Sequence, residues 1–279
     1  MNKKVIIACM AGIVCVLLTG SLFFSSCTNE EDSFVISKER NERYADALLS
    51  LQDTHHAFLR SLNSHYATRA GVEEWGEGSM TDSTWIDECW EAFEEELESL
   101  CMEFDLSGDL SASELEALTL TEEMIDTMML DNEIFMQFIE ENGSPRFYEI
   151  LSSSIGENCL YDSEGIVVTA SDIVSDNNLR DYEKLSLILI SDGEVYIDLE
   201  NTGFDNQTTM AECVANFQED IQDCNLVYNA GMVITSIVAI FAPPAAVGVA
   251  AGVGYDYVKC AYFAIRNASR CLKSITNSQ

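Results

Sequence analysis

Four cysteines near the C-terminus are spaced for disulfide chemistry. Cys213 and Cys224 are eleven residues apart, and so are Cys260 and Cys271. Eleven residues make about three turns of α-helix, so the two members of each set share a face. They stand roughly 16 Å apart along the axis, beyond the reach of a disulfide within one helix. Across an antiparallel hairpin they can meet. The nested pairs Cys213–Cys271 and Cys224–Cys260 are both centred on residue 242, beside Pro243-Pro244. Four cysteines allow three pairings, and the shared centre selects this one. A metal site is the rival use of four thiolates, but the spacing matches no zinc pattern.

Other residues with chemical capacity are less ordered. Glu103 to Leu115 can be aligned as a worn EF-hand loop. Asp105 and Ser107 then take the third and fifth positions, Gly108 the glycine, and Glu114 the bidentate end. The plainer reading is a turn followed by a capping box, Ser111 with Glu114. Calcium through Asp105, Ser107 and Glu114 is thus a weak candidate, and no other metal site is expected. His55, His56 and His65 match no metal-ligand pattern and are expected on a solvated surface. Cys89, Cys101 and Cys159 leave their pairing open. No glycine-rich phosphate loop, HExxH or G-x-S-x-G occurs. No catalytic residue and no cofactor is therefore expected, and the chain does not read as an enzyme.

The elements that must position the cysteines are two helices, 209–242 and 245–273. Thr209 with Glu212 can cap the first, and a proline can open the second. No charged residue lies between Asp223 and Asp256. Gly248 and Gly252, four apart, offer a seam for close helix contact. This apolar tip, 225–255, suits a buried core, a membrane-inserting hairpin like that of helical pore-forming toxins, or a kinked span. Each arm alone is short for a span.

Upstream, apolar periodicity predicts helices over 36–66 and 83–102, separated by a glycine-bearing linker at 71–79. Short capped helices follow: Thr119 with Glu122, Asp131 to Asn142-Gly143, and Ser144-Pro145 onward. Leu185–Ser191, Asp192-Gly193 and Glu194–Leu199 read as a β-hairpin, with Ile166-Val167-Val168 as an added strand. A helix through Leu179 to Ile190 is the alternative. The expected fold is mainly α with a small β-hairpin insert and a C-terminal, disulfide-stapled antiparallel helical hairpin.

The chain has 279 residues, 48 acids against 14 Lys and Arg, and a net charge of −34. A field of that sign repels polyanions, so nucleic acid is excluded as a partner. Divalent cations or a basic protein partner are favoured. An apolar fraction of 47% is ordinary for a folded chain.

Lys3 and Lys4, the apolar run Val5 to Leu18, and Leu22-Phe23-Phe24-Ser25-Ser26-Cys27 resemble the signal and lipobox of bacterial lipoproteins. The resemblance implies cleavage before Cys27 and acylation of that cysteine, palmitate among its lipids. Membrane attachment then runs through the N-terminal lipid. Thr28 carries no inner-membrane retention signal, and Glu30-Glu31-Asp32 resembles an acidic export tag. The implied address is the outer membrane, lipid-anchored and surface-exposed. Outside the cytoplasm thiols tend to pair. Seven would remain after cleavage and lipidation, an odd number. The organisation expected is a signal peptide (1–26), an acidic tether (27–36), a helical region (37–158), a short β-containing segment (159–205) and the hairpin (206–279). The function expected is a non-catalytic binding or structural module, with a membrane-active antagonist as the alternative.

Overall fold

The structure, a computed structural model, describes residues 30–69, 84–108, 110–154, 159–191 and 208–276. Cys27 with its lipobox, the linker at 71–79 and the Glu194–Leu199 arm lie outside them. Ten helices occupy the described residues: α1 (Glu30–Arg69), α2 (Thr84–Glu103), α3 (Ala112–Ala117), α4 (Glu122–Leu130) and α5 (Asn132–Asn142). They continue with α6 (Pro145–Ser153), α7 (Ala170–Ser175), α8 (Asp181–Ile190), α9 (Thr208–Phe241) and α10 (Pro243–Thr276).

Periodicity explains the long N-terminal helices. Tyr44, Leu48, Leu51, His55 and Phe58 recur every three or four residues and form the buried stripe of α1. Phe93, Leu97 and Leu100 do the same for α2, which packs along α1. The rings join the two helices: Phe58 and Trp90 meet edge-on at 4.7 Å. The short helices exist because their ends are fixed. Ser111, Thr121, Asp131, Ser144 and Thr169 each accept a backbone N–H of the first turn. Thr121 is thus the cap of α4. Thr119, which the sequence suggested, instead donates to the Leu115 carbonyl.

The expected β-hairpin does not form. Its first arm, Leu185–Ile190, is the body of α8. Leu185, Leu187, Ile188 and Leu189 are each fully buried, between α9 on one side and α1 on another. A short run that is apolar at every position but Ser186 carries no clear period of its own. The deciding signal lies just upstream. Glu183 accepts the Arg180 N–H at 2.9 Å and closes a first helical turn. From Leu185 to Ile190 every residue is buried, so this stretch of α8 lacks the stripe that marks a surface helix. Burying its leucines and isoleucines contributes on the order of 2 kcal/mol each. Among the described residues the only β pairing is one bridge, Tyr161 with Val167. It surrounds a turn in which Gly165 takes φ +75°, a conformation that favours glycine.

Helices α9 and α10 run antiparallel and pack along each other. The chain reverses at Ala242, the single non-helical residue between them. Pro243 then sits where a helix has no use for an N–H. Helix α9 starts at Thr208, so Thr209 falls inside it and is not its cap. The close approaches also differ from the expected Gly248 and Gly252. Gly248 is exposed, and a Cβ on Gly252 would meet nothing. Gly231 is the tight position, where a Cβ would stand 2.6 Å from the Val253 methyls. Gly254 similarly admits the Trp90 ring.

Candidate functional site

The hairpin arms carry two disulfides. Cys213 joins Cys271 with Cα atoms 5.8 Å apart, and Cys224 joins Cys260 at 5.7 Å. Both separations suit an unstrained bridge. Ala242, at the common centre of the two pairs, is where the chain turns. The pairing follows from the helix period together with a reversal at one residue.

One turn beyond the inner disulfide lies a polar seam inside the core. The Tyr257 hydroxyl of α10 donates to Asn225 Oδ1 of α9 at 3.1 Å. The Tyr228 ring lies tilted against Tyr257 with ring centres 4.5 Å apart. The Tyr228 hydroxyl and His55 Nε2 of α1 share a hydrogen bond. His55 is wholly buried and also lies 5.0 Å from the Phe93 ring. Three helices therefore share one small group of polar atoms.

The buried position of His55 overturns the expectation of a solvated histidine. The signal was present in the sequence. Leu48, Leu51, His55 and Phe58 keep one helical stripe, so His55 had to face where the leucines face. Burial without a carboxylate partner lowers its pKa from 6.5 to about 3, and neighbouring His56 adds to the shift. The ring is thus neutral. Its Nδ1 is buried without a hydrogen-bond partner. Shut away from solvent, it acts as a packing and hydrogen-bonding group. Burial likewise raises the Tyr257 phenol.

The apolar tip is core in this structure. Met232, Val233, Ile234 and Ile237 are buried in the first arm, Ala246 and Ala250 in the second. The buried hydroxyls Thr235 and Ser236 donate back to the Gly231 and Met232 carbonyls at 2.9 and 3.1 Å. They leave no polar atom needing another helix. Glu212–Phe241 is long and apolar enough to cross a membrane, and 72% of its most apolar stretch is buried within the protein.

The calcium candidates are not assembled into a coordination shell. Asp105 Oδ1 accepts the Ser107 N–H at 3.0 Å and its hydroxyl at 2.5 Å, closing a local turn. Glu114 turns the other way. Its carboxylate accepts the Ser111 N–H at 2.8 Å and hydroxyl at 2.6 Å, the reciprocal half of a capping box. It also pairs with Arg180. The Ser111 hydrogen bonds first, then the Arg180 charge, hold its pKa below the usual carboxylate value. A guanidinium stands where an EF-hand would bring a cation. Among the described residues no group of three or more His, Cys, Asp or Glu converges as metal ligands.

Cys101 is a buried thiol of α2, and burial pushes its pKa up to about 12. A thiolate is the reactive form, so Cys101 is held inert. Against this geometry, no protein-family model, curated protein or solved structure matches the chain.

Proposed function

We propose that this chain is a lipid-anchored, non-catalytic binding module of the bacterial outer membrane, displayed towards the cell exterior. The nested disulfides of the α9–α10 hairpin carry the reading. Bonds of this kind persist in oxidising compartments and are rare in the cytosol. The lipobox ending at Cys27 names the same side of the membrane independently. The high acidic charge disfavours docking on anionic headgroups, so the acylated N-terminus supplies the tether. The same charge favours a basic protein partner or divalent cations over nucleic acid. Labelling of expressing Gram-negative cells with an alkynyl palmitate tests the anchor. The chain takes up label and sediments with membranes, and Cys27→Ser loses both properties. Label retained in Cys27→Ser overturns the reading.

A second reading has its own support. The arm Glu212–Phe241 meets the length and hydropathy of a membrane span, and the hairpin is nearly neutral. Glu212, Glu219, Asp220, Asp223 and Asp256 are offset in number by Lys259, Arg266, Arg270 and Lys273, leaving −1 of the chain's −34 in residues 208–276. On this reading the hairpin leaves its acidic cover and perturbs a target bilayer, as a toxin-like antagonist. Dye-loaded vesicles decide it. Release by the mature chain supports membrane activity, and intact vesicles with staples both oxidised and reduced exclude it.

A further inference from the structure

The α1, α7 and α8 helices border a cleft of about 590 Å³ on the face away from the hairpin. Its volume is that of a small-molecule site, and its lining is mainly polar. Arg40, Arg180 and Lys184 converge on it, three of only 14 Lys and Arg in a chain with 48 acids. Exposed Asn41, Asn177 and Asn178 supply amide donors and acceptors at its rim.

The walls are tied by polar side chains as well as by apolar packing. Glu183 is fully buried and accepts the Ser144 N–H at 2.7 Å, the Ser144 hydroxyl at 2.8 Å and the Arg180 N–H at 2.9 Å. Arg180 donates to the Asn142 carbonyl at 3.0 Å. Arg40 donates to the Asp105 carbonyl at 2.9 Å and pairs with Asp181 at 2.8 Å. Asp181 and Glu183 are the buried carboxylates of the described residues; Asp181 lines the cleft, and Glu183 holds two of its lining residues, Ser144 and Arg180. Four distant stretches of chain are thereby fixed around one polar space, which is the preorganisation a ligand site needs.

The charges choose the ligand. Arg40 is answered by Asp181, and Arg180 by Glu114 and Glu183. Among the described residues Lys184 has no carboxylate within ion-pair distance and gives one hydrogen bond, 3.1 Å to the Val174 carbonyl. Two ammonium donors are left for a ligand. Asp105 and Asp181 line the same space, so a dianion would meet like charges. A monoanion rich in hydroxyls fits one lysine and the asparagine amides. We infer that this cleft binds a small hydroxylated monocarboxylate of the acidic-sugar class, with Lys184 as its charge partner. The inference rests on the binding-module reading and names its ligand class.

Titration calorimetry of the full mature chain with sodium D-glucuronate at low ionic strength tests it. Saturable binding is expected, with neutral D-glucose at least about tenfold weaker, the equivalent of one charge-assisted contact. Lys184→Met keeps the hydrocarbon stem and should weaken glucuronate about tenfold. Asn177→Ala, at an exposed rim position, should weaken it severalfold and decides the matter if Lys184→Met fails to fold. Absence of saturable glucuronate binding overturns the inference, as does unchanged affinity in the folded variants. Inorganic phosphate binding more tightly than glucuronate overturns the carboxylate assignment. None of these results alters palmitate labelling at Cys27, so the two readings fail separately.

Discussion

The α9–α10 hairpin and the body in front of it hold their helices by opposite means. The hairpin is nearly neutral, apolar at its tip, and crosslinked twice. The body bears almost all of the negative charge, and one of its cysteines, Cys101, is an inert buried thiol. It is organised instead by caps, by the buried Glu183 carboxylate that accepts the distant Ser144 N–H, and by the Tyr44 hydroxyl that donates to the Asp181 carbonyl. The contrast teaches where each device is affordable. Two long parallel-sided arms present residues in a fixed register, so a covalent bond finds its partner. Short helices at changing angles do not, and each end needs its own polar anchor.

The strongest test of this division acts on the hairpin. Removing the inner staple by the double change Cys224→Ser and Cys260→Ser opens a loop of 36 residues. The chain-entropy relation then gives a loss of roughly 4 kcal/mol. Thermal unfolding in the oxidised state measures it, and an unchanged midpoint would show that packing alone sets the register. Next comes the body's anchor. Glu183→Ala orphans the Ser144 and Arg180 donors it now satisfies and should cost about 3 kcal/mol by urea unfolding.

The third test lies at the seam where the two regions touch. His55 has a folded pKa near 3 against 6.5 unfolded. Its contribution is therefore fully present above pH 6.5 and is lost as pH falls towards 3. About 2 kcal/mol should be gone by about pH 5. His55→Gln, which keeps a polar group towards Tyr228 and does not titrate, should flatten that slope. Equal slopes in both proteins would place the pH dependence in the carboxylates. The smallest effect is at a cap: Ser111→Ala should lower stability by about 1 kcal/mol. Added calcium should leave the midpoint of the unaltered chain where it was, because Glu114 is already engaged by Ser111 and Arg180.

Legibility in the sequence tracked how many residues shared one signal. The hairpin could be read because four cysteines and two prolines agreed on one centre. The long N-terminal helices could be read from repeated apolar spacing. Helix α8 could not, because burial on all sides removed its period and left a run that suits strand or helix equally. The cleft was invisible for another reason. Arg40 is far in the chain from Asn178 and Lys184, and its pairing with Asp181 helps bring them to one cleft. His55 had a readable position, but its residue type argued for the surface and outweighed its spacing.

The two staples also make the hairpin a ruler. One residue added between Cys213 and Cys224 would advance one cysteine by about 1.5 Å and swing it by about 100° around its helix. Its partner on α10 would then be out of reach unless the opposite arm gained a residue as well. Within this region the lengths of the two arms are coupled, and insertions and deletions must come as matched pairs across Ala242.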